Sequence, residues 1–201
     1  MKSTLIAIIL FLILPNISFS QERQNINEVI EVLTKNSKID SSDKKVYALM
    51  DDFFYENLQA ETPQLSQKTI STFNSLMVDS TIKNQHLLAL FLFYQNHISE
   101  SMQTGKTNPQ FQVAVIEALS NEYKKIYQRV PVIIYVYQVE AYNSNKQIDK
   151  VKETLLEARE AYPDAVPLKV YQFLAIKDDQ VKEDLLQNHS NHWLVKSFKI
   201  N

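Results

Sequence analysis

Cysteine is absent from this chain of 201 residues, and glycine occurs once, as Gly105. Without cysteine the fold has no disulfides to rely on and no N-terminal cysteine to carry a lipid, so packing alone must hold it. A single glycine argues against sandwiches, barrels and nucleotide-binding α/β folds, which need positive φ in their turns and close backbone approach. It also leaves no glycine-rich loop to cradle a phosphate and no glycine for a nucleophile elbow. Basic blocks are missing too. Lysine and arginine total 21 against 23 acids, a formal charge of −2, which makes nucleic acid a poor partner. No basic amphipathic segment points to binding at a membrane surface.

What is present begins at the N-terminus. Lys2 supplies a positive charge, Leu5 to Leu14 is an unbroken apolar run, and Pro15-Asn16 ends it. Ser18-Phe19-Ser20 then sets two small residues at signal-peptidase spacing, so residues 1–20 read as a secretory signal peptide and the mature chain as 21–201. The apolar run is about half of the roughly 20 residues a spanning helix needs, so no stable membrane insertion is expected after cleavage. Export without cysteine points to a bacterial periplasmic or secreted protein.

Hydrophobic residues make up 45% of the chain, enough to offset the ordering entropy of folding. Their spacing is helical. Ile26, Val29, Ile30 and Leu33 mark a helix near 25–36, with Asp40 or Ser41 as cap for the next. Val46, Leu49, Met50, Phe53, Phe54 and Leu58 form its stripe. Thr62-Pro63 reads as a cap and first turn before Leu65, Ile70, Phe73, Leu76 and Met77, and Asn84 as the cap of a fourth helix. Leu87 to Tyr94 is apolar on all sides, as in an enclosed helix. Asn108-Pro109 repeats the cap-then-proline signal. Val130 to Tyr137 has strand-like chemistry, but no second strand of similar quality exists to pair with it, so it reads as helix. Further stripes follow at Ile148–Tyr162, Leu168–Ile176, Val181–Leu186 and His192–Phe198. The expected tally is nine or ten helices.

One pattern repeats. Tyr137-Gln138-Val139-Glu140-Ala141 returns as Tyr171-Gln172-Phe173-Leu174-Ala175, 34 residues on. A 34-residue period of helix pairs resembles the tetratricopeptide-repeat (TPR) family. In the unit Val132–Ala165, Tyr135 and Tyr142 stand at the family's first-helix aromatics, Ala158 at the small residue of the second helix and Pro163 at the closing proline. Gln138, Val139 and Val151 depart from its pattern. The resemblance implies an all-α fold of stacked antiparallel helical hairpins, a TPR-like α-solenoid. Irregular helices would occupy 21–105 and repeat-like hairpins 106–201. It also implies a partner-binding face made by the first helices, carrying Ile133, Val136, Glu140 and Asn143 beside Pro167, Val170, Leu174 and Lys177. Glu140 and Lys177 would meet polar groups of a peptide over an aliphatic floor.

Other candidates are weaker. His189 and His192 share a helical spacing beside Trp193, yet no convincing third metal ligand accompanies them. His86 and His97 lie three turns apart. Seven of ten tyrosines fall between Tyr123 and Tyr171, as core wedges or as the lining of a groove. Asp51-Asp52 and Asp178-Asp179 read as helix-end and surface charge. No catalytic set, metal or cofactor is expected. The reading is an exported protein- or peptide-binding module or scaffold of the bacterial envelope. A helical enzyme on an envelope substrate, or an accessory subunit of a larger complex, are the alternatives.

Overall fold

The computed structural model describes residues 26–201; the leader read at residues 1–20, with Gln21 after it, lies outside the described residues. Among the described residues the chain is all-helical, with ten α-helices and no strand. They are α1 (Ile26–Lys35), α2 (Lys45–Phe54), α3 (Gln67–Val78), α4 (Gln85–Thr104), α5 (Pro109–Tyr127), α6 (Val132–Ser144), α7 (Ile148–Ala161), α8 (Val166–Ile176), α9 (Asp179–Asn188) and α10 (Trp193–Ser197). A π-helical turn, Tyr55–Gln59, extends α2. Among the described residues no helix is long and apolar enough to cross a membrane.

From α4 to α9 each helix packs on the next in sequence. Helix α6 also lies against α2 and α8, which explains its composition. Val132, Ile133, Ile134, Val136 and Val139 are all buried because neighbours enclose the helix on several sides. A β-branched run therefore folds as helix, its modest propensity cost offset by about 1.5–3 kcal/mol per fully buried side chain. Helix α1 packs on α4 and α5, and α2 on α3, α4 and α6.

Several helix starts differ from the sequence reading. Asn108-Pro109 does open α5, the asparagine accepting from Phe111 N at 3.1 Å. Thr62-Pro63 does not open α3; Ser66 caps it instead, and the Glu56 carboxylate on the π-turn binds Ser66 N at 2.6 Å and Thr69 Oγ1 at 2.8 Å. Asn84 precedes α4 without capping it. Its backbone is left-handed at φ 57°, and its buried amide takes Asp40 N at 2.9 Å and donates to Asp40 O at 2.7 Å and Tyr127 Oη at 2.8 Å. Asparagine is among the few non-glycine residues that accept this geometry readily. Neither Asp40 nor Ser41 caps α2; Asp43 Oδ1 accepts from Lys45 N at 2.9 Å.

The buried residues form two cores. The larger runs from Val46 through Leu168, with Tyr94 and Tyr123 among its largest enclosed side chains. A smaller one gathers Val166, Val170, Leu185, Leu194, Val195 and Ile200 at the C-terminal end. Gln59 ties the π-turn to that end. Its side chain accepts from Val166 N at 2.9 Å and donates to Asp164 O at 3.2 Å, supplying the first-turn acceptor that Ala165 cannot give α8.

Candidate functional site

The face expected from the repeat pattern is mostly closed. Ile133, Val136, Pro167 and Val170 are buried in the described fold, so they serve packing here and not an open floor. Glu140 is half-buried and accepts a hydrogen bond from the Tyr171 hydroxyl on α8. Burial pushes its carboxyl above the usual range, and the Tyr171 bond pulls it back in part. Tyr94 packs on Tyr137 beside it, ring centroids 5.4 Å apart. Asn143 and Lys177 remain exposed, Leu174 half-buried. Lys177 ends α8 in the left-handed region, with Nζ 5.0 Å from the Phe173 ring centroid.

An open groove lies elsewhere, between α5 and α7, with α6 as its floor. It encloses ≈ 280 Å³. Tyr135, Gln138 and Tyr142 line the floor at i, i+3 and i+7, one stripe of α6. Glu117, Ser120, Asn121 and Lys124 come from α5; Lys150, Glu153, Thr154 and Glu157 come from α7.

Two polar clamps close its ends. At one, Glu117 Oε1 receives Lys150 Nζ at 2.7 Å and Tyr142 Oη at 2.9 Å. At the other, Glu157 Oε1 receives Lys124 Nζ at 3.2 Å and Tyr135 Oη at 2.9 Å. Both phenols are pushed above their usual range, by burial first and by the facing carboxylate next, so they stay protonated donors at neutral pH. The helical rise places the clamps about 10 Å apart on each of the three helices. Every clamp residue recurs seven positions along its helix, Glu117 with Lys124, Tyr135 with Tyr142 and Lys150 with Glu157. That spacing stands in the sequence, but only packing shows that the three sets meet.

Other polar clusters knit the fold. Ser37 Oγ contacts His86 Nδ1 at 2.9 Å, and His86 Nε2 faces Glu122 Oε2 at 3.3 Å. The order is that of a hydrolase triad, but the His86 side chain is shut from solvent, and the contacts tie the segment after α1 to α4 and α5. Burial pushes His86 below its ordinary value despite the pull of Glu122. Tyr162 Oη donates to Val130 O at 2.6 Å and accepts from Arg129 Nε at 3.0 Å, with Tyr47 Oη 3.1 Å away. Beside them Asp51, expected as surface charge, is half-buried and pushed up to about 6 by desolvation. Lys169 Nζ meets Asp184 at 2.6 Å and His189 Nε2 at 3.3 Å. His192 is buried at the start of α10, where its Nδ1 accepts from Leu194 N. The two histidines thus face different networks. No protein-family model, curated protein or solved structure matches this chain.

Proposed function

We propose that this chain is an exported protein-binding module of the bacterial cell envelope, built as a TPR-like α-solenoid of stacked helical hairpins. Three successive helix pairs, α4/α5, α6/α7 and α8/α9, support that reading, as does the contact of α6 with α8. The clamp pairs join α5 to α7 at an offset of 33 residues, close to the 34-residue sequence period. Tyr135 and Tyr142 stand in the wedge between successive pairs, where the resemblance would put aromatics.

The observation that carries the functional reading is the α5–α6–α7 groove. It is open, lined by polar groups over two tyrosines, and bordered by charges of both signs. Such a lining suits an extended segment of another protein, with the exposed Asn143 and Lys177 as outlying contacts on the α6–α8 side. Export comes from the apolar run and small residues before Gln21.

A photo-crosslinking residue at Thr154 tests the reading in the native envelope. One discrete adduct is expected from Thr154 and none from Ser71 on α3, which is exposed and outside the groove. Equal labelling from both sites, or none from Thr154, overturns it. Mass spectrometry of the same material should find Gln21 at the N-terminus; an intact Met1 start would overturn export by cleavage.

A further inference from the structure

The groove has one charge left over. Its lining holds Glu117, Glu153 and Glu157 against Lys124 and Lys150. Each lysine is engaged by a clamp glutamate, at 2.7 Å and 3.2 Å. Glu153 makes no ion pair among the described residues and stands between the clamps on α7. Ser120, Asn121 and Thr154, around it, make no side-chain hydrogen bond among the described residues. Two hydroxyls and one amide, each able to donate or accept, therefore line the same space as one acceptor-only carboxylate.

Size and electrostatics narrow the occupant. A volume of ≈ 280 Å³ lies at the small end of ligand sites, room for one long side chain. An anion would meet Glu153 and two lysines already neutralised. A cation meets the one carboxylate of the lining that no lysine engages. A long aliphatic stem can lie along the tyrosines while its charged head stays in water beside Glu153.

We infer that the groove holds one basic side chain of a bound peptide, an arginine guanidinium or a lysine ammonium, between the clamps, with Glu153 as its carboxylate partner. The inference rests on the protein-binding reading above and gives it a substrate class. Because Glu153 is exposed, it contributes specificity and a modest part of the affinity.

The test is a titration of the ¹⁵N-labelled chain with acetyl-Ala-Ala-Arg-Ala-Ala-amide and with its glutamine and glutamate counterparts at low salt. The arginine peptide should shift the amides of Ser120, Gln138, Glu153 and Thr154 saturably. The glutamine peptide should bind about fivefold more weakly, the range of an exposed ion pair, and the glutamate peptide not at all. Glu153→Gln should lose the same fivefold and Glu153→Lys the whole effect, both with an unchanged helical spectrum. Equal binding of the arginine and glutamine peptides, or full binding by Glu153→Lys, overturns the inference. A Thr154 cross-link to an envelope protein without any arginine-peptide shift overturns it too, and leaves the protein-binding reading standing. Arginine-peptide binding without a cross-link leaves the cation specificity standing and removes the protein-binding reading.

Discussion

Glu117 on α5 and Lys150 on α7 meet at 2.7 Å across α6, and the Tyr142 hydroxyl of α6 closes the same carboxylate at 2.9 Å. Seven residues along each helix the arrangement recurs with the charges exchanged. The two outer helices are thus held in register by polar contacts above a floor that the core already fixes.

The two kinds of contact should differ in strength. Glu117 and Lys150 are partly exposed, so a double-mutant cycle with Glu117→Gln and Lys150→Met should give a coupling below about 1 kcal/mol, shrinking in high salt. Tyr142→Phe should cost about 1 kcal/mol and be insensitive to salt, since the phenol is buried. Urea titrations measure both. A salt-independent coupling of several kcal/mol would show the clamp enclosed from water.

Glu140 and Asn143 share one face of α6 but not one environment. Glu140→Ala removes the acceptor of the Tyr171 hydroxyl and should cost about 1–2 kcal/mol. Asn143→Ala, at an exposed site, should stay within about 0.5 kcal/mol. Melting curves that reversed this order would contradict the α6–α8 contact.

Asp51 gives a pH signature. Desolvation raises its carboxyl to about 6, with Arg129 opposing and Asp52 adding. The folded state therefore binds that proton more tightly than the unfolded state. Its favourable contribution is present below about pH 4 and is lost as pH rises through 6. Asp51→Asn should accordingly stabilise the chain by about 1 kcal/mol at pH 7.5, after allowance for solvent screening, and make no difference near pH 3.5. Thermal melts of both proteins at the two pH values check the sign.

Ala158 is enclosed completely in the larger core. Ala158→Leu should cost roughly 1–3 kcal/mol, because a packed site must shift to admit three more carbons. A silent substitution in the melt would mean that α7 has free space beside it.

The helices were largely legible in the sequence because their information is local. The stripes of α2, α3 and α7, the all-apolar run of α4 and the Asn108-Pro109 start depend on residues within a few turns. Val130 to Tyr137 was legible by elimination, since a lone strand has no partner. Helix starts depart from the sequence where tertiary contacts compete for the polar group: Ser66, held by Glu56, opens α3 in place of Thr62, and Asn84 turns from α4 to Asp40 and Tyr127. The candidate site was hidden for the same reason. The repeat resemblance implied a face with Ile133, Val136 and Val170, but α6 is enclosed on several sides, and a pattern along the chain does not say which side stays open. The groove needs α5, α6 and α7 in contact before its sevenfold spacings mean anything.

The small C-terminal core makes α8 a shared wall. Leu168 faces the main core while Val166 and Val170 belong to the smaller one. With few apolar groups to hold it, the end formed by α9 and α10 can open on its own while α2–α7 stay closed. Opening there would uncover Val166 and Val170 while Leu168, between them on the same helix, stays packed in the main body.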